Sequence, residues 1–101
     1  MNSQFHKGVI EMCVLALVNK RDCYGYELVE SISKHIEISE GTIYPILRRL
    51  TLEGHFETYL QESSSGPSRK YYRMTAQGKT HTDNLLNQWS QFKSDVDGLL
   101  L

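Results

Sequence analysis

The sequence has no long apolar run. Its most hydrophobic stretch, Val9 to Val18, is ten positions with Glu11 inside it, about half of the ~20 residues needed to cross a bilayer. The opening MNSQFHKG lacks the basic-then-apolar order and small-residue cleavage site of an export signal. A cytoplasmic protein is therefore expected. Cysteine is scarce, and Cys13 and Cys23 read as reduced thiols rather than a disulfide framework. Cys13, inside the apolar run, reads as buried filler. Cys23, in a polar turn, reads as a surface thiol open to oxidation, with no neighbour that lowers its pKa. His6, His35, His55 and His81 are scattered without metal-ligand spacing, which argues against a metal site, and no cofactor is implied. There is no nucleophile-and-base motif, no phosphate-binding glycine loop and no carboxylate pair at useful spacing, so an enzyme is not expected. Neither sign of charge is in excess, since 11 Lys and Arg against 12 Asp and Glu give −1. Overall charge thus gives no footprint of a polyanion-binding protein. At 101 residues the chain is one small domain with a modest core.

What is present is a strong pattern of elements. Residues from about Gln4 to Lys20 are apolar around the whole circumference of a helix, which then has to be buried on several sides. Tyr24 to His35 restarts a helix, with Leu28, Val29, Ile32 and Ile36 on one face. Ser39 is a candidate N-cap for a third helix, EGTIYPILRRLTLEG, ending at Gly54, a good residue just past a C-terminus. Pro45 falls in its first two turns, where a missing N–H costs less. Beyond Gly54 the period changes. Phe56 to Gln61 and Arg69 to Met74 are β-prone runs around a Ser63 to Ser68 segment of turn composition, predicting a hairpin with a long flexible tip. Alternation puts Tyr72 and Met74 on one face of the second strand and Arg69, Tyr71 and Arg73 on the other. Thr75 is a candidate N-cap for a last helix running from about Ala76 towards Leu99.

That last helix carries Leu85, Trp89, Phe92, Val96 and Leu99 at alternating spacings of four and three, a heptad seam. A helix of about 24 residues is about 36 Å long, more than a domain this small can cover. Pairing with the same seam of a second copy is expected, with packing on its own domain as the alternative. The order of three helices, hairpin and helix is that of a winged helix-turn-helix with an added helix. The fold class is mainly α with a small β-hairpin: a winged helix-turn-helix unit over 1–75 and a C-terminal dimerisation helix over 76–101, forming one compact body.

In the third helix Ile43, Leu47 and Leu50 must face the core, leaving Thr42, Tyr44, Pro45, Arg48 and Arg49 on other faces. Hydroxyls and guanidinium groups suit phosphates and base edges in a major groove. On the helix alone, surface ion pairs of Arg48 and Arg49 with acids such as Glu53 explain the arginines as well. The hairpin adds Arg69, Lys70 and Arg73 beside a Ser, Gly and Pro tip that can approach a phosphate backbone closely. Charge is segregated: residues 41–79 carry six basic and three acidic side chains, whereas residues 22–40 carry one basic and five acidic. The DNA-binding set expected is Ser39, Thr42, Tyr44, Arg48, Arg49, Arg69, Lys70 and Tyr71. A winged-helix protein-interaction module that binds no DNA is the alternative, and near-neutral charge is its support.

At Tyr24-Gly25-Tyr26-Glu27-Leu28, at Gly41 to Leu50 (GTIYPILRRL) followed by Glu53-Gly54, and at Arg69 to Thr75 (RKYYRMT) followed by Gly78, the sequence closely resembles the PadR family of bacterial transcriptional regulators. Ile43 stands where the family's GTLYP has Leu, and Gly66-Pro67-Ser68-Arg69 stands where members often carry Gly-Arg in the wing. The resemblance implies a homodimer held by its first and last helices and repression of target promoters; two recognition helices related by a two-fold axis then call for an inverted-repeat operator in double-stranded DNA. The single C-terminal helix is similar to that of the small-subfamily members. In their multidrug-sensing representatives an aromatic residue on this helix lines a flat pore and stacks on planar cationic or aromatic drugs. Trp89, eleven residues after Gly78, resembles that residue in position. The resemblance therefore implies ligand contacts at Trp89 and Phe92, and a dimer interface including Val9, Leu85, Trp89, Phe92, Val96 and Leu99.

Overall fold

A computed structural model describes residues 3–101; the first two residues of the segment read for targeting lie outside the described residues. The elements run α1 (Ser3–Lys20), β1 (Cys23–Tyr24), α2 (Gly25–Ser33), α3 (Glu40–Leu52), β2 (Phe56–Ser63), β3 (Gly66–Met74) and α4 (Ala76–Leu100). The core joins Ile10, Val14, Leu15 and Val18 of α1 to Leu28 and Ile32 of α2, to Ile43, Ile46, Leu47 and Leu50 of α3, and to Phe56 and Tyr72 of the sheet. The apolar circumference of α1 thus serves several neighbours at once.

The hairpin is part of a three-stranded antiparallel sheet of order β1-β3-β2. The expected second helix gives up its first residue to this sheet. Tyr24 pairs with Tyr71 and Cys23 with Tyr72, so α2 starts at Gly25 and ends at Ser33 rather than at His35. Cys23 departs from the surface role assigned to it, while Cys13 packs against the core as a partly buried side chain. Cys23 is 2% exposed, and its thiol donates to the Arg21 carbonyl at 3.3 Å. Cys13 is only half-buried. Burial raises the pKa of both thiols, and the edge strand that hides Cys23 removes it as a surface redox group. The wing tip is also shorter than expected. Both strands extend into the serine-rich segment, and Ser63 pairs with Gly66 after an irregularity beyond Gln61.

Ser39 occupies the N-cap of α3, but its carbonyl rather than its hydroxyl meets the helix, accepting from Thr42 N at 3.1 Å. Pro45 is tolerated because the carbonyl it leaves without an intrahelical donor, four residues back at Gly41, is at an exposed position. Gly54 closes α3 with φ of 87°, a conformation that favours glycine. Thr75 caps α4, its hydroxyl oxygen accepting from Gly78 N at 3.0 Å. Gly78 allows α4 to seat against the turn between α3 and β2, since a Cβ there would stand 2.1 Å from the His55 carbonyl oxygen. The imidazoles of His55 and His81, scattered in sequence, stack there at 4.2 Å. Among the described residues no group of three or more His, Cys, Asp and Glu could hold a metal ion.

The first half of α4 packs on α1, where Asn19 Nδ2 donates to Asp83 Oδ1 at 3.5 Å, and it carries buried Thr82 and half-buried Leu85, which packs against the core. Its second half leaves the domain, giving a molecule 52 Å long and 20 Å thin. Among the described residues no helix is long and apolar enough to cross a membrane.

Candidate nucleic-acid interface

Burying Ile43, Ile46, Leu47 and Leu50 turns the opposite side of α3 outward, with Thr42, Tyr44, Pro45 and Arg48 all exposed. Tyr44 is the most constrained of these. Its ring rests on α2 at Gly25, where a Cβ would lie 2.6 Å from Cε1. Partial burial, and secondarily Glu40, hold its phenol above the ordinary range. Ser39 is exposed at the start of the same helix.

The two adjacent arginines have different environments. Arg49 turns towards α1 and bonds to Glu11, with Glu53, the residue that caps the end of α3, a further partner at 3.5 Å. These two carboxylates raise its pKa, the Glu11 hydrogen bond being the largest cause. Arg48, one residue earlier and about 100° around the helix, is exposed and has no ion-pair partner among the described residues. The spacing of Arg49 to Glu53 marks that pair in the sequence, whereas Glu11, 38 residues away, carries no such signal.

On the wing Arg69 and Lys70 are exposed, and neither has a carboxylate partner among the described residues. Arg73 donates through Nε to Glu57 at 2.9 Å, its cross-strand neighbour, and Lys79 pairs with Asp83. Of the six basic side chains between residues 41 and 79, Arg48, Arg69 and Lys70 therefore remain uncompensated by close acids. Tyr71 is half-buried between Tyr24, edge-on at 5.4 Å, and Tyr59, stacked at 5.5 Å. Tyr24 and Tyr59 were not among the residues expected at the site; they lie on either side of Tyr71 in register, which cannot be read before the strand pairing is known.

The residues expected at a subunit contact lie elsewhere. Val9 is half-buried on α1 and Leu85 packs against the core. Trp89, Phe92 and Leu99 are 38%, 63% and 87% exposed on the free half of α4, with Val96 half-buried among them. The seam thus splits into one residue packed against its own core and an outer part that is largely exposed in the single chain.

An outward helix face with hydroxyl, phenol and guanidinium groups, beside a basic two-stranded wing, defines a winged-helix protein of the kind that regulates transcription. The profile of the transcriptional regulator PadR-like family matches residues 14–84, and the chain belongs to that family. A PadR-like transcriptional regulator from Bacillus cereus strain ATCC 14579 superposes with a TM-score of 0.88 at 40% identity, over 97% of each chain. A PadR family transcription regulator from Clostridium difficile R20291 gives 0.83 at 31% identity, over 91% of this chain and 98% of its own. The transcriptional regulator Rv3488 of Mycobacterium tuberculosis is 29% identical over 77 residues, which cover 75% of this chain and 71% of that protein. The family is one of transcriptional regulators rather than enzymes.

Proposed function

We propose that this chain is a cytoplasmic, homodimeric repressor that binds an inverted-repeat operator. Thr42, Tyr44 and Arg48 enter the major groove of each half-site, with Ser39 at the helix start and Arg69, Lys70 and Tyr71 on the flanking backbone. The observation that carries this reading is the sorting of cations: Arg48 on α3 and Arg69 and Lys70 on the wing are exposed and, among the described residues, have no carboxylate within ion-pair distance. Arg49 ties α3 to α1 through Glu11 and contributes less to DNA than Arg48. Two copies pair through α1 and the seam of α4, which covers Val9, the solvent-facing part of half-buried Leu85, and Trp89, Phe92, Val96 and Leu99. Trp89 and Phe92 then form an aromatic wall at the dimer centre that takes a planar aromatic or cationic ligand. Such a ligand releases DNA by favouring a dimer geometry in which the two recognition helices no longer match the half-sites.

Gel shift of an operator fragment at several ionic strengths tests the electrostatic part. With about three to five phosphates neutralised per protomer, affinity falls steeply as salt rises. A flat response contradicts it. Titration of planar cationic dyes against the emission of Trp89, the sole tryptophan, tests the ligand. Absence of quenching across a broad panel leaves Trp89 as interface packing.

A further inference from the structure

The outer face of the sheet carries a row of three tyrosines. Tyr24 of β1 and Tyr59 of β2 both lie opposite Tyr71 of β3, with ring centroids 5.4 and 5.5 Å from that of Tyr71. Arg69 and Arg73, two residues to either side of Tyr71, share its face by strand alternation. Each guanidinium covers one end of the row. Arg69 Cζ lies 4.7 Å from the Tyr24 centroid and Arg73 Cζ lies 4.9 Å from that of Tyr59. The two ends differ in charge. Arg73 is paired with Glu57, and Tyr59 donates its hydroxyl hydrogen to Asp22 at 2.6 Å. At the other end Arg69 has the ring as its partner and no carboxylate within ion-pair distance among the described residues. It also lines an open groove of about 460 Å³ between Tyr24, Tyr26 and the Ser63 to Ser68 tip.

We propose that Tyr24 is a positioning residue for Arg69, and that Arg69 so held is the wing's phosphate clamp while Arg73 is not. The proposal rests on the DNA-binding reading above. Stacking uses the face of the guanidinium and leaves its in-plane N–H donors for two oxygens of one phosphate. A long side chain otherwise loses rotamer freedom on binding, and holding it over a ring beforehand removes part of that cost. Arg73 is already bonded to Glu57, so a phosphate would have to displace a carboxylate. The sheet register therefore creates one preset, uncompensated cation at the wing and neutralises the other.

The experiment has one readout without DNA and one with it, both on the full chain. In free protein the side-chain proton resonances of Arg69 are ring-current shifted in wild type and Tyr24→Phe, and relax to ordinary values in Tyr24→Leu. Absence of that shift in wild type overturns the positioning, whatever DNA does. Operator affinity by fluorescence anisotropy, on a fragment selected by the wild type, is retained in Tyr24→Phe and falls about three- to tenfold in Tyr24→Leu. In an Arg69→Ala background Tyr24→Leu costs nothing further, and Arg73→Ala costs less than Arg69→Ala. Additive losses for Tyr24→Leu and Arg69→Ala, or equal losses for the Phe and Leu variants, overturn the proposal. Thermal melts of each variant separate these outcomes from unfolding. A wild type that shows the ring-current shift but selects no DNA sequence contradicts the DNA reading, and the clamp falls with it.

Discussion

Tyr44 sits so close to Gly25 that a Cβ on that glycine would stand 2.6 Å from the ring's Cε1 and 3.0 Å from its hydroxyl oxygen. The first residue of α2 therefore sets the direction of a side chain on the exposed face of α3. Gly25→Ala restricts the unfolded backbone at a position of ordinary φ, a gain of about 0.4–1 kcal/mol, and pushes a partly exposed ring off its seat. The two effects on stability oppose each other, while only the second reaches the DNA. The melting midpoint is expected to move by no more than about 5 °C as operator affinity drops severalfold. Unchanged affinity would remove Tyr44 from the contact set.

Arg48→Ala and Arg49→Ala separate contact from support. Arg48→Ala leaves the fold intact and costs about 1–3 kcal/mol of specific binding if the guanidinium reads a base. Arg49→Ala strips Glu11 of its bonded partner and is expected to lower stability by about 1 kcal/mol, its partly exposed setting limiting the loss. Denaturant melts and anisotropy on both variants check this. Equal binding losses with equal stabilities would contradict the division.

Much of the fold is readable from the chain because its signals are local. The core face of α3, the Thr75 cap, the Gly54 stop and the alternation of Tyr72 against Tyr71 all follow from spacing within one element. Features that depend on distant partners do not. A two-residue strand at Cys23 and Tyr24 has no period of its own and exists because β3 offers a free edge. Burial of Cys23 follows from that edge. The choice between Arg48 and Arg49 turns on Glu11, and the tyrosine row turns on register. The outward face of α3 and the basic strand of the wing were thus legible, while which of their side chains are paired needed tertiary contacts.

Phe92 is 63% exposed in the single chain, so replacing it tests association without disturbing a core. Phe92→Lys places a charge in the heptad seam. Sedimentation is expected to show a dimer for wild type and a monomer for the variant at micromolar concentration, with similar helicity by circular dichroism. A wild type that sediments as a monomer contradicts the seam's role.

Stability should fall on the alkaline side. Burial raises the pKa of Cys13, Cys23, Tyr44 and Tyr72, and the hydrogen bond to Asp22 raises that of Tyr59. The folded chain therefore keeps these protons at a pH where the unfolded chain has begun to lose them. Their contribution is complete below the unfolded values, about 8.5 for Cys and 10 for Tyr, and is lost as pH rises through the folded ones. Melting midpoints measured from pH 7 to 10.5 are expected to decline above about pH 9. A midpoint constant over that range would contradict the directions given.

Whether a two-fold pair of recognition helices reads DNA sequence is decided by selecting bound fragments from random genomic DNA with the purified full chain. Enrichment of an inverted repeat whose half-sites lie about one helical turn, or a multiple of it, apart is expected, and so is its loss in Arg48→Ala. Recovery of no enriched sequence by the wild type would contradict sequence reading by that pair.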